Sequence, residues 1–201
     1  MKVKYSDLKN KRVFITGGGS GIGGSIVEHF CEQGSEVYFV DIDLKETKKL
    51  LNKIKKNKFR APTFIECNLL DINKLEKIIK KIISTKGPIH ALINNAANDD
   101  RHTTDQVDEK YWENRMAINL KHYFFAAKSV VKAMKKIKSG SIVNLSSVSW
   151  MLGEGDKVVY ETAKSAVVGL TRSFAQEYGK YNIRTNSVVP GSIATERQIK
   201  H

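Results

Sequence analysis

Tyr160 and Lys164 stand four residues apart in Tyr160-Glu161-Thr162-Ala163-Lys164. On a helix that spacing puts both side chains on one face. An ammonium so placed can lower the pKa of a phenol from its ordinary value of about 10. Thirteen residues upstream, Ser147 follows the apolar run Ile142-Val143-Asn144-Leu145, which reads as a strand. A hydroxyl at a strand's carboxyl end, facing an activated tyrosinate, suits removal of a proton from an alcohol while hydride leaves the same carbon. Tyrosine and lysine at this spacing are common on solvated helices, so the pair acquires meaning only from the elements that position it.

Those elements alternate along the chain. Val13 to Ile15 predicts strand one and Gly21 to Gln33 its helix; Glu36 to Val40 predicts strand two, followed by a lysine-rich helix from about Leu44 to Lys56. Thr63 to Glu66 and Asp71 to Ser84 make a third pair, and Ile89 to Ile93 a fourth strand. Helices then cover Asp108 to Lys136, with a break expected near Glu113. Ser141 to Leu145 is strand five, Val158 to Gly179 the helix carrying Tyr160, and Arg184 to Val188 strand six. At 201 residues the length suits one α/β domain. Regular alternation implies a doubly wound parallel sheet with helices on both faces. Right-handed crossovers favour the strand order 3-2-1-4-5-6 of a dinucleotide-binding fold.

Four further motifs fall at the carboxyl ends of these strands. Thr16-Gly17-Gly18-Gly19-Ser20-Gly21-Ile22-Gly23 follows strand one and opens a helix. Glycines there let the backbone turn tightly and approach a pyrophosphate, held at the positive end of the helix. Asp41 ends strand two, eighteen residues past Gly23. A carboxylate at that place accepts hydrogen bonds from an adenosine ribose and repels a 2′-phosphate. Ile42 and Asp43 follow it, with no arginine, which predicts NAD rather than NADP as cofactor. Asn94-Asn95-Ala96-Ala97 closes strand four with small residues. Asn119 is an amide within the apolar helical segment Met116-Ala117-Ile118-Asn119-Leu120, where a buried amide needs partners. Pro190-Gly191 follows strand six, with Ile193 and Thr195 beyond.

Composition excludes several classes. No apolar run approaches the roughly 20 residues that span a membrane, and the amino terminus lacks a signal-peptide core, so a cytoplasmic protein is expected. Cys31 and Cys67 have no metal-ligand spacing and read as reduced core thiols. His102 beside Asp99 and Asp100 is not read as a metal site. The net charge of +13 raises the question of nucleic acid. Its lysines are spread over the helices at 45–56 and 74–81 without aromatics to stack bases, and a solvated lysine-rich face is the expectation.

Taken together, the chain from Leu8 to Gln198 resembles the short-chain dehydrogenase/reductase family. The resemblance implies that Tyr160 is the catalytic base, that Lys164 lowers its pKa and holds the nicotinamide ribose, that Ser147 orients the reacting oxygen and that Asn119 anchors a water in a proton relay. It places Gly17, Ser20, Gly21, Ile22, Gly23, Asp41, Asn68, Leu69, Asn95, Ala96, Pro190, Gly191, Ile193 and Thr195 against the cofactor, together with Tyr160 and Lys164. Two positions depart from the family pattern: Ala97, where glycine is usual, and Asn68, where an aspartate often meets the adenine.

The variable stretches Asn98-Asp99-Asp100-Arg101-His102, Ser149-Trp150-Met151-Leu152-Gly153 and Thr195-Glu196-Arg197-Gln198 are similar to those of bacterial aldose 1-dehydrogenases. That likeness implies oxidation of a sugar, D-xylose favoured, at its anomeric hydroxyl, with Ser147, Ser149, Trp150, Asn98 and Tyr160 as candidate sugar contacts and no metal. An exposed charged turn is the alternative reading of Asp99, Asp100 and Arg101. A relative acting on a ketone, a secondary alcohol or a 3-oxoacyl thioester, and an inactive nucleotide-binding protein, remain open as whole-chain alternatives. The family continues past the Pro-Gly loop with a helix pair and a seventh strand, while this sequence stops at His201. The expectation is therefore a truncated domain with strand six as an exposed edge and the family's homo-oligomer in doubt.

Overall fold

Six short apolar runs, each bounded by turn residues, pair into one parallel sheet in the computed structural model, which describes residues 3–196. The strands are β1 (Arg12–Thr16), β2 (Glu36–Asp41), β3 (Thr63–Glu66), β4 (Ala91–Asn94), β5 (Gly140–Leu145) and β6 (Ile183–Val188). Their order is β3-β2-β1-β4-β5-β6, as expected. β1 sits between β2 and β4, with Val13 in register with Val37 on one side and Ala91 on the other. The chain therefore reverses its direction of travel across the sheet between β1 and β4. The crevice at their carboxyl ends is where open α/β sheets bind ligands.

The two faces are covered by different helices because strand side chains alternate. Val13 and Ile15 point to the layer of α1 (Gly21–Glu32) and α2 (Leu44–Lys56), packing with Val27, Cys31, Leu50 and Ile54. Phe14 points the other way, into a core shared with Leu75 and Ile79 of α3 (Ile72–Lys86). Val130 and Met134 of α5 (His122–Ile137) and Phe174 of α7 (Val158–Tyr178) complete that layer. Burial on both faces is what parallel strands require. Three helix starts are fixed by aspartates: Asp43, Asp71 and Asp108 accept from the backbone N–H of Glu46, Lys74 and Tyr111 at 3.0, 2.9 and 2.7 Å.

The helical segment before β5 differs from expectation. No break occurs at Glu113, which lies inside α4 (Glu109–Met116) and is an ordinary helix former. The irregularity falls later, in a π turn at Ala117–Lys121 that joins α4 to α5 without interruption. Such widened turns concentrate at functional sites. This one carries Asn119, fully buried.

The lysines of α2 and α3 lie on exposed faces, some in short ion pairs such as Lys53–Glu28 and Lys80–Glu76. Lysines elsewhere do meet aromatic rings, as at the end of α5, where Lys135 lies 4.9 Å from the Tyr178 ring centre and 4.6 Å from that of Tyr181. Cys31 and Cys67 are buried free thiols, and burial pushes Cys31 up to about 12. Among the described residues no helix is long and apolar enough to cross a membrane. There β6 pairs with β5 alone and forms an edge of the sheet. Arg197 and Gln198 lie outside the described residues.

Candidate active site

The turn after β1 is packed so tightly that its glycines are dictated by space. Gly17 has φ +66°, and a Cβ there would lie 2.7 Å from the Ala96 Cα. A Cβ at Gly23 would run into the Gly17 carbonyl oxygen and sit 2.5 Å from Asn95 Nδ2. That amide donates to the carbonyls of Thr16 (3.2 Å) and Gly17 (2.8 Å), so Asn95 braces the glycine turn from the neighbouring strand. Ser20 occupies the position before α1 but makes no side-chain cap, leaving the first backbone N–H groups of the helix for an anion. Thr195 folds back over this turn, its Cγ2 within 3.6 Å of where a Gly21 Cβ would stand. A tight backbone cradle at an uncapped helix start fits the pyrophosphate of a dinucleotide.

Asp41, the candidate adenosine contact, is tied to the glycine turn. Its Oδ2 accepts from Gly19 N–H at 2.7 Å, and its Oδ1 from Ile42 and Asp43 N–H at 2.7 and 2.9 Å. The carboxylate therefore shapes the glycine loop as well as facing the crevice. Asn68 holds its own turn, Oδ1 accepting from Leu70 N–H at 3.0 Å. The Leu69 side chain is in the core beside Val40 and Leu75, which leaves its backbone, not its side chain, as the part that can meet a cofactor.

At the carboxyl end of β5 the candidate catalytic residues converge. Lys164 is 1% exposed, and its Nζ donates to the Leu145 carbonyl at 2.7 Å and to the Tyr123 hydroxyl at 2.8 Å. The same nitrogen is 5.5 Å from the centre of the Tyr160 ring, one helical turn away. Burial lowers Lys164 from 10.5 to about 7, partly offset by the charge of Asp99. Ser146 Oγ donates to the Lys164 carbonyl at 2.7 Å and fixes the strand end to α7. Ser147 and Ser149 share a hydroxyl–hydroxyl bond of 2.9 Å, and Ser149 N–H donates to Ser147 Oγ at 3.2 Å. Trp150 follows in the single-turn helix α6 (Ser149–Leu152), half-buried. Val148 N–H donates to the Pro190 carbonyl at 3.0 Å, which brings the Pro190-Gly191 loop to the serine loop.

Asn119 bonds both ways to one residue: its Nδ2 donates to the Asn98 carbonyl (3.0 Å) and its Oδ1 accepts from Asn98 N–H (2.7 Å). The side chain of Asn98 is itself engaged, Oδ1 accepting from Asp100 N–H at 2.9 Å. The stretch after it is charged and exposed at Asp100 and Arg101, as the alternative reading had it, and is held by ion pairs. Arg101 pairs with Asp156, and Arg115 with Asp100 at 3.0 Å. His102 is 6% exposed and its Nε2 accepts from Val159 N–H at 3.3 Å, next to Tyr160 in sequence. With Nε2 an acceptor, the ring proton sits on Nδ1, facing the Asp100 carbonyl at 3.0 Å and the Tyr111 hydroxyl at 2.8 Å. His102, His122 and Tyr123 lie around the candidate residues, and sequence reasoning gave none of them a role there. The one signal available for Tyr123 is its place four residues after Asn119, on the same helix face.

His122 is fully buried beneath the glycine turn, 3.4 Å from Thr16 Oγ1. Burial, then the charge of Lys164, lowers it from 6.5 to about 3, against a weaker opposing pull from the Ile118 backbone. As pH falls from about 6.5 towards 3, the unfolded chain takes up a proton that the folded chain refuses, so stability falls across that window. The expected loss is on the order of 3 to 5 kcal/mol over the full window. Urea denaturation at pH 7, 5.5 and 4.5 should show it, and His122→Gln should have a flatter acid limb. Equal slopes for variant and wild type would remove His122 as its source.

The family model for short chain dehydrogenases matches residues 11–201. The chain is 41% identical over 196 residues to D-xylose 1-dehydrogenase of Caulobacter vibrioides, covering 98% of this chain and 77% of that one. It is 39% identical to a probable galactose dehydrogenase of Rhizobium meliloti, over 97% of this chain and 76% of that one. Among solved structures, the ligand-free aldohexose dehydrogenase of Thermoplasma acidophilum superposes with a TM-score of 0.83 at 32% identity, over 96% of this chain and 70% of that one. The chain belongs to the short chain dehydrogenase family and is an oxidoreductase acting on CH–OH groups. The cofactor of this fold is a nicotinamide dinucleotide, NAD or NADP, and a gluconate 5-dehydrogenase-like neighbour at 25% identity and TM-score 0.88 holds NADP.

Proposed function

We propose that the protein is an NAD-dependent sugar dehydrogenase that oxidises the anomeric hydroxyl of an aldose, D-xylose favoured, to the lactone. The observation that carries the chemistry is the fully buried Lys164 ammonium one helical turn from Tyr160. A cation in that place favours the phenolate form of its neighbour. Tyr160 accepts the proton of the C1 hydroxyl, and Ser147, held by Ser149, orients that oxygen. A bound nicotinamide would supply the hydride acceptor for C1, whose C–O bond becomes the lactone carbonyl once Tyr160 holds the proton. Lys164 keeps the ribose and Tyr160 in register. Asn119 ties Asn98 to the π turn, steadying the wall across which a proton leaves. The names of the two sugar-dehydrogenase relatives support the substrate class. The test is reduction of NAD across a panel of pentoses, hexoses, polyols and secondary alcohols. Turnover of secondary alcohols with no aldose oxidised would replace the sugar reading, and cofactor binding without any turnover would replace the enzyme reading.

The choice of NAD rests on the Asp41 carboxylate at the end of β2, which would repel a 2′-phosphate. Like charges brought together cost several kcal/mol. Asp41→Ser should raise the NADP-to-NAD ratio of kcat/KM at least on the order of tenfold. It should also weaken both cofactors, since Gly19, Ile42 and Asp43 N–H lose their acceptor. Wild-type protein using NADP as well as NAD would overturn the assignment.

A further inference from the structure

The ammonium of Lys164 is buried where water cannot solvate it, so the protein must supply its acceptors. Two are present. One is the Leu145 carbonyl at 2.7 Å, a backbone group at the end of β5. The other is the Tyr123 hydroxyl at 2.8 Å, from a fully buried side chain on α5. The same hydroxyl donates to the Leu145 carbonyl at 3.0 Å, so ammonium, phenol and carbonyl close a three-membered ring of hydrogen bonds. The Tyr123 ring adds its face, with Nζ 5.1 Å from its centre. The Tyr123 backbone is anchored in turn, its carbonyl accepting from Asn94 Nδ2, which also bonds Asn144 Oδ1. Tyr123 follows the π turn that carries Asn119 by two residues, so the residue bonded to Asn98 and the residue bonded to Lys164 share one continuous helical segment.

We propose that Tyr123 is a positioning residue for the reaction, its phenol oxygen docking the Lys164 ammonium beneath the Tyr160 ring. This rests on the assignment of Tyr160 and Lys164 given above. Every charged or titratable group facing that nitrogen belongs to the account. Tyr160 lies on the same helix, His122 and Tyr123 on α5, and Asp99 in the loop after β4. Burial raises Tyr123 well above 10, so its hydroxyl stays neutral and remains an acceptor across the working range. His122 is held neutral by burial. Asp99 favours the charged lysine from a distance, while Tyr123 does so by contact.

Removing that acceptor should lower the affinity of Lys164 for its proton, because a hydrogen bond to the charged form is lost. Tyr123→Phe keeps the ring and deletes only the hydroxyl. The first readout is NADH affinity by fluorescence as a function of pH, which depends on no sugar. Affinity should fall as pH rises through the lysine ionisation, and in Tyr123→Phe that fall should move down by about one pH unit. The second readout is kcat/KM with the best sugar of the panel, which should drop about tenfold at pH 7.5, mostly in kcat. Tyr123→Met also lacks the acceptor and should shift the profile the same way, whereas Tyr123→Gln keeps an acceptor oxygen and should shift it less. A lowered melting temperature with both pH profiles unmoved would make Tyr123 a packing residue and overturn the proposal. If the wild type turns over no sugar, the functional reading fails, and the NADH titration still decides the role of Tyr123.

Discussion

Tyr160→Phe should leave the fold and NADH binding close to wild type while lowering kcat by a factor on the order of 10² to 10⁴, the range for a positioned general base. The substitution deletes one oxygen. The Tyr160 ring, which the Lys164 nitrogen faces at 5.5 Å, stays in place, and so do the Lys164 bonds to Leu145 and Tyr123. The glycine turn and Asp41 are untouched, so the proposed cofactor cradle keeps its internal bonds. What is lost is the phenol oxygen beside the buried Lys164 ammonium, the proposed acceptor of the hydroxyl proton. Stopped-flow or steady-state reduction of NAD with the preferred sugar, beside an NADH titration, separates the two effects. The wild-type rate should also rise with pH through one ionisation that Tyr160→Phe lacks. Retention of full turnover by the variant would remove the mechanism.

How far the sequence carried this reading depended on whether the information was local. The alternation of apolar runs and helical periodicity implied a parallel sheet, and crossovers of one hand favoured the order that the sheet has. Thr16-Gly17-Gly18-Gly19-Ser20-Gly21-Ile22-Gly23 was legible because its constraint is steric and contiguous: the Gly23 Cβ has no room under the Gly17 carbonyl. Strand limits moved by a residue or two, as at β4, read from Ile89 and found at Ala91–Asn94. The π turn was not legible. Nothing in Ala117-Ile118-Asn119-Leu120-Lys121 disfavours an ordinary helix, and the widened turn coincides with the paired bonds of Asn119 to the distant Asn98 backbone. His102 and Tyr123 were missed for the same reason. Each acts on a residue 57 or 41 positions away, and only the folded chain brings His102 to Val159 and Tyr123 to Lys164. Of the candidate sugar contacts, Ser149 stands beside Ser147, and Asn98 also shapes its own loop, its Oδ1 accepting from Asp100 N–H, a local role that the sequence did not signal.

Lys164→Met is expected to make the cofactor-free protein more stable at pH 7 and nearly inactive. Met has about the length of the lysine stem and needs no acceptors, so it can fill the cavity without leaving a charge in it. Replacing buried charged groups by apolar ones of similar volume stabilises by roughly 1 to 4 kcal/mol in favourable cases. The sign with pH follows from the depressed lysine. Folded Lys164 titrates at about 7 and the unfolded side chain at 10.5. Between these values the unfolded chain holds the extra proton, so wild-type stability rises as pH rises from about 7 to about 10.5. The advantage of Lys164→Met should therefore be largest at and below pH 7 and should shrink towards pH 10.5. Tyr123 keeps its bond to the Leu145 carbonyl in the variant, which limits the polar cost of the change. Activity should fall on the order of 10²-fold or more, because a preorganised donor and charge at the reacting phenol are both gone. NADH affinity should fall with it, unlike in Tyr160→Phe, since the ammonium is also the proposed ribose contact. Melting curves at pH 6, 7.5 and 9.5 without cofactor, with NADH titrations alongside, test each part. A variant less stable than wild type at pH 6, or one whose stability difference grows as pH rises, would mean that the lysine is a net support of the fold, not a cost carried for catalysis.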